Sequence, residues 1–321
     1  MRFRVRSLGL LALLWSYQGL AIQVTPHLYQ AEDLAWFTGP LLTPAPNTIP
    51  LGHANVEPYL YFMDFKGFYN KHWRYEHRAS FYTTLLRVPI VIGLTPFMDT
   101  FVIPQLTYQR TQGAHSTQVA DLPFGFGFQL LKEDPSSWTP SMKLSLQGSF
   151  PCAKYDHLHP NKLGTDGAGF GSWLPRICLI VGKIFSLSNN HFLSARFDMA
   201  YFIPNNVSIK GLSVYGGTPR THGVIHLGSQ FIGDLSFEYD LTRNWACALD
   251  IRYNHIGQAQ FSGTSPLVRP GAPSQDVISL APALEYNWNS SIGLIGGVWF
   301  SIFGRNAAAF TGGVLAFNWY I

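Results

Sequence analysis

Three groups of side chains in this sequence could do chemistry. Between His226 and Leu241, one parity carries His226, Gln230, Asp234, Ser236, Glu238 and Asp240. Lys143, Arg176, Arg196, Asp198, Asp250 and Arg252 stand at alternate positions of other segments. Asp156-His157-Leu158-His159 is the third group. A serine beside an oriented histidine would be a nucleophile. His226 and Ser236 are ten residues apart on one extended run, ~33 Å along a strand, so they cannot be partners. His255 and Ser262 flank a loop and are close enough in sequence to meet, with nothing to orient them. No nucleophile motif is present, so no enzyme is expected. Two histidines two residues apart hold a metal only with other ligands nearby. The 156–159 cluster therefore reads as a polar loop, and neither metal nor cofactor is expected.

The charges remain. Glu57, Lys143, Arg176, Arg196, Asp198, Asp234, Glu238, Asp250, Arg252 and Glu285 are of mixed sign and recur on one parity. Either they line a passage that filters solutes by charge, or they pair with one another and fill a narrow interior. Arg252 opposite Asp234 or Glu238 is one expected pair.

Strands must position such residues. Opposite the polar parity of 226–241 stand Leu227, Phe231, Leu235, Phe237, Tyr239 and Leu241. Alternation this long puts one face in water and the other in an apolar medium. Ser141–Phe150, His191–Phe202 and Trp245–His255 repeat the pattern. Leu122, Phe124, Phe126, Phe128 and Leu130 form an apolar stripe beside Gly125 and Gly127. The pattern predicts about twelve strands, at 54–65, 81–94, 100–110, 121–132, 140–151, 171–184, 191–203, 225–240, 245–256, 276–288, 292–303 and 309–321. Five short connections (95–99, 133–139, 185–190, 241–244 and 289–291) alternate with six others, most of them long (66–80, 111–120, 152–170, 204–224, 257–275 and 304–308). Such sorting is the mark of a transmembrane antiparallel β-barrel.

Composition agrees. Charged residues are 12%, aromatics 15%, and mean hydropathy is only +0.07. Those values suit strands with one wet face better than a helical bundle. At the N-terminus, Arg2, Arg4 and Arg6 precede an apolar run from Leu8 to Trp15 and the small residues Gly19 and Ala21. This reads as a signal peptide over 1–21. Its removal takes three arginines and no acid, leaving 19 cations against 18 acids, a net charge of about +1. A nucleic-acid partner is not expected at that balance. Residues 22–52, with Pro40, Pro44, Pro46 and Pro50, form a periplasmic tail or a plug; 53–321 is the barrel. Cys178 and Cys247 fall on opposite faces and, with Cys152, read as small fillers rather than a disulfide. The last strand ends in Leu315, Phe317, Trp319 and Ile321 on one parity, which resembles the signal read by the barrel assembly machinery. That machinery and outer-membrane lipids are the expected partners.

Together these pieces resemble the family of outer-membrane transporters named after the meta-pathway of phenol degradation. Ile92-Gly93-Leu94-Thr95 with Asp99 resembles its strand–turn–strand, Asp121–Gly127 its glycine-spaced strand, and Gly164–Gly171 its glycine-rich stretch. Where the family strand ends in Pro-Thr-Gly, this chain has Pro151-Cys152-Ala153. The resemblance implies a barrel that passes small, often hydrophobic or aromatic molecules. The long-chain fatty-acid transporters are a more distant likeness, and the chain has no Asn-Pro-Ala plug motif. Two functions follow: a channel for such solutes, or a closed barrel acting structurally or through its outer loops. Gly125 and Gly127 mark a candidate lateral exit behind Phe124, Phe126 and Phe128; alternatively, they relieve crowding where the wall bends.

The mature chain should begin at Ile22 and fractionate with the outer membrane. N-terminal mass spectrometry of that fraction checks both, and recovery as a soluble periplasmic protein would contradict them.

Overall fold

The computed structural model describes residues 36–187 and 191–321; the predicted signal peptide lies outside the described residues. Twelve antiparallel staves close into one barrel. The first four are each two strands: β1 (Ala54–Val56) with β2 (Tyr59–Tyr69), β3 (Tyr75–Arg87) with β4 (Ile90–Thr95), β5 (Met98–Val102) with β6 (Gln105–Thr111), and β7 (Ala114–Val119) with β8 (Leu122–Leu131). Then come β9 (Ser141–Phe150), β10 (Arg176–Ser186) and β11 (Phe192–Phe202). After an excursion containing β12 (Val207–Lys210) and β13 (His222–His226), the wall resumes with β14 (Gln230–Asp240) and β15 (Trp245–Ile256). Past β16 (Gln260–Thr264), the wall ends with β17 (Gln275–Asn287), β18 (Ile292–Arg305) and β19 (Ala307–Tyr320). Closure comes from β19, which pairs Val314 with Tyr61 on β2 and Trp319 with Val56 on β1. A closed barrel leaves no long edge with unpaired backbone groups in lipid.

Parity runs as the sequence predicts. On β14, Asp234, Ser236, Glu238 and Asp240 are buried inside, while Leu235 faces outward. Cys178 is buried within, and Cys247 lies on the outward parity of β15. At the short-turn end Trp245 packs tilted on Tyr286 and Tyr286 packs edge to face with Trp288, with Trp319 exposed near them, forming an aromatic girdle at one interface.

A crease crosses the first four staves. Pro58, Pro89 and Pro104 interrupt the first three, because proline cannot donate to a ladder, and the fourth breaks at Ala120 and Asp121, just before Pro123 at the start of β8. These three prolines and Pro123 each accept from the preceding stave around the barrel: Phe317 N–H donates to Pro58 O, Glu57 to Pro89, Val88 to Pro104 and Ile103 to Pro123. Outward of the crease, β7 pairs with β6 but with no strand on its other side among the described residues. The fifth stave stops at Phe150, so the wall has a gap there.

The structure corrects the connections. The outer ends of the first four staves are longer than expected, and 66–80 and 111–120 shrink to the turns 70–74 and 112–113. Gln112 (φ 44°) and Gly113 (φ 87°) make a two-residue left-handed hairpin. Between β18 and β19 only Asn306 (φ 51°) intervenes. The 225–240 run breaks at Leu227–Ser229, because His222–His226 leaves the wall. It joins β12 and β16 in a three-stranded sheet over Val207, Ile209, Ile225 and Phe261. This sheet and loop 151–175 lie at the outer end. In that loop, burial opposes the charge of Asp166, but the Lys154 ammonium (2.7 Å) and the His159 N–H outweigh it and hold the carboxyl below its ordinary range.

Replacing Leu235 at mid-strand by Arg should cost roughly 2–4 kcal/mol, while Trp245→Arg at the girdle should cost roughly 0–1 kcal/mol. Urea titration in lipid checks the difference, and equal costs would contradict the assigned membrane depth.

Candidate functional site

The lumen is occupied by the chain's own N-terminal segment. Residues 36–53 enter at the short-turn end, where Trp36 N–H donates to Arg243 O. They rise to the level of Arg252 and return along the opposite wall to β1. Four prolines in this segment remove backbone donors. Donors that remain find acceptors on the wall. Thr38 N–H donates to Glu285 Oε2 (2.9 Å), Thr43 to Asp250 Oδ1 (3.2 Å), Thr48 to Gln129 Oε1 (2.7 Å) and Ile49 to Asp99 Oδ2 (3.2 Å). In return, Arg252 Nη2 donates to Leu42 O (2.8 Å), Lys143 Nζ to Asn47 O (3.1 Å) and Asn287 Nδ2 to Trp36 O (2.7 Å). Ser141 donates to Pro46 O and to Asn47 Oδ1. Leu41, 2% exposed, packs on Tyr61, Met63, Ala283 and Ile295. A Cβ on Gly182 or Gly297 would strike Pro46 or Leu41, so the wall is recessed where the segment lies.

All eight pore-lining candidates face inward, but the plug and mutual pairing hold most of them. Arg252 meets Asp234 at 2.6 Å, Arg196 meets Glu238 at 2.8 Å, Arg176 approaches Asp198 at 3.6 Å, and Lys143 approaches Asp99 at 3.7 Å. Asp250 holds Thr43 through both its N–H and its hydroxyl. Cys178 donates to Asp198 Oδ1 at 2.6 Å. The sequence reading missed Arg87, Asp99, Gln129, Ser141 and Asn287. Asp99 and Asn287 sat in or beside segments read as turns, and polar residues at strand ends look alike in sequence.

Gly125 and Gly127 face the lumen, yet they do not leave a hole. A Cβ on Gly127 would lie 2.2 Å from Asp99 Oδ1, and one on Gly125 would lie 2.8 Å from the Phe101 ring. These glycines admit side chains from the neighbouring stave. The break in strand pairing lies further out, beside β7, where Lys162 Nζ reaches His115 O. Loop 151–175 covers it, tied down by Asp121, which accepts from Ala153 N–H (3.0 Å) and Phe170 N–H (2.8 Å). Phe124, Phe150 and Trp173 cluster edge to face at its rim, all exposed.

Two cavities adjoin the plug and the loop. One, of about 250 Å³, lies above the plug between Leu42, Pro44, Tyr61, Phe101, Ile180 and Ile232. The other, of about 420 Å³, lies outward beneath the loop, against Asp121, Gly148, Ala168, Phe170 and Leu174. Arg87, Ile103, Gln147 and Arg176 line both. His255 and Ser262 do not meet: His255 Nδ1 sits 2.7 Å from Asp276, and Ser262 sits 3.1 Å from His226 Nε2 in the outer sheet. His157 pairs with Asp156, and no metal-holding group occurs among the described residues.

A closed antiparallel barrel with an apolar outer face, an aromatic girdle and an inserted N-terminal segment is an outer-membrane β-barrel. Its fold is similar to that of the COG4313 outer membrane channel from Pseudomonas putida F1, at 11% identity over 85% of this chain and 97% of that one, with a TM-score of 0.63. Weaker likenesses are the translocator domain of the autotransporter NalP from Neisseria meningitidis (8% identity, 85% and 89% covered, TM-score 0.40) and the Pseudomonas putida toluene transporter TodX (12%, 84% and 90%, TM-score 0.37). No family model matches the sequence, and no curated protein matches it.

Replacing Arg252 by Met strands the fully buried Asp234, and should cost roughly 3–5 kcal/mol. Adding Asp234→Asn should recover most of that. Urea titration of both variants checks this, and a single variant as stable as the parent would show that the pair does not matter.

Proposed function

We propose that this protein is an outer-membrane channel for small apolar solutes, aromatic ones included, related to the phenol-degradation transporters that its sequence resembles. The observation that carries this reading is the pair of adjoining cavities beside the gap at β7. Beneath them the lumen is stopped by a segment bound through its backbone, which disfavours a wide aqueous pore. Above them, the outer cavity reaches the place where the wall lacks a strand. A solute therefore enters under loop 151–175 and leaves sideways past Phe124, Phe150 and Trp173. The glycine pair at 125 and 127 is not the exit in this reading; the unpaired edge of β7 is.

The alternative, a closed barrel acting through its loops, draws support from the plug and the outer sheet. Transport assays separate the two. Proteoliposomes should take up a neutral aromatic such as toluene faster than empty vesicles. Joining β7 to the loop by a disulfide between His115→Cys and Lys162→Cys should lower uptake severalfold until reduced. Uptake equal to that of empty vesicles would refute the channel.

A further inference from the structure

We propose that the junction of the two cavities is an anion subsite, so that the preferred solutes are amphipathic acids, an apolar body carrying one carboxylate, rather than plain hydrocarbons. This rests on the channel reading above and narrows it.

The cations facing the cavities are Arg87, Lys143, Arg176 and Arg252; the carboxylates are Glu57, Asp99 and Asp121. Most are already engaged. Lys143 holds Asp99 and the plug, Arg252 holds Asp234 and the plug, and Asp121 holds the loop. Glu57 accepts from the Tyr59 hydroxyl at 2.9 Å. Arg87 is different. No carboxylate lies within ion-pair distance of it among the described residues; it hydrogen-bonds the Tyr61 hydroxyl, and its buried Nε has no hydrogen-bond partner. Arg176 stacks on the Phe202 ring at 4.9 Å and its Nη2 donates to Cys178 Sγ at 3.8 Å, but its carboxylate partner is distant. Its separation of 3.6 Å from Asp198 exceeds a hydrogen bond, and its Nε is likewise buried without a partner. Gln147, directly across the ladder from Arg176, adds a third polar side chain.

Two guanidiniums with idle buried donors therefore meet where both cavities meet. A buried donor without an acceptor is costly, and a planar guanidinium matches a carboxylate with two parallel bonds. Next to this polar corner, the inner cavity is walled by Tyr61, Phe101, Ile103, Ile180, Ile232 and Leu42. A carboxylate at Arg87 and Arg176 would place an attached aromatic or alkyl body against those side chains. The paired volumes reach the scale of a small-molecule site, roughly 300–1,000 Å³.

The test compares 4-phenylbutyrate with its neutral counterpart 4-phenylbutan-1-ol. Each is titrated calorimetrically into the full protein in phosphatidylcholine nanodiscs, with empty nanodiscs as baseline. The acid should bind roughly tenfold or more tightly than the alcohol. R87Q, checked for folding by its altered gel mobility before heating, should erase that preference and leave alcohol binding in place. The wild-type ratio alone tests the proposal if R87Q does not fold. Equal affinity for acid and alcohol, or an unchanged preference in folded R87Q, would overturn the anion subsite while leaving the channel standing. Binding of neither compound would overturn both.

Discussion

Backbone hydrogen bonds between residues 36–53 and charged lumen side chains are the interaction on which the rest of this structure depends. Fully buried carboxylates such as Glu285, Asp250 and Asp99 are costly unless something donates to them. Here the donors are amide groups of a segment that cannot satisfy itself. Its prolines prevent it from adding to the wall as a strand, so each remaining N–H must find an acceptor elsewhere. Wall and segment thus complete each other. Neither the acid-rich lumen nor the irregular segment is stable as a buried structure without its counterpart.

That complementarity divides the barrel in two. In the half nearer the short turns, charges are spent on pairs and on the plug, and Leu41 seals the space with apolar contacts. In the outer half, a crease across four staves, at prolines in the first three, leaves β7 with one bonded edge among the described residues. The two cavities open toward that half, the inner one resting on the plug. An unpaired strand edge facing lipid would be unfavourable. Loop 151–175 covers it instead, held by Asp121 at the point where the fourth stave breaks. The placement of cavities, gap and covering loop in one sector is what separates a transport reading from a merely structural one.

Much of this architecture was legible in sequence. Parity identified the inward faces of β9, β11, β14 and β15, because a two-sided medium imposes strict alternation. The twelve staves, the five short turns and the Arg252–Asp234 pair could all be read. The outer ends of the first staves could not: Lys66, Lys71, Arg74, Glu76 and Arg78 stand clear of lipid, so alternation no longer reports strand there. Gln112-Gly113 is the one local hairpin signal in that stretch, and it is visible in the sequence. The plug contacts were out of reach because they join residues more than 200 positions apart, as Thr38 to Glu285 and Thr43 to Asp250 do. Gly125 and Gly127 misled for a related reason: the side chains that fill them, Phe101 and Asp99, come from a neighbouring stave.

The claim that the chain plugs its own lumen is tested most directly by single-channel conductance in planar bilayers, comparing the protein with a variant lacking residues 36–50. The parent should pass little current, and the deletion should raise conductance severalfold, with a marked ion preference once the freed carboxylates face water. A parent that already conducts as a wide pore, or a folded deletion variant with unchanged conductance, would contradict the account.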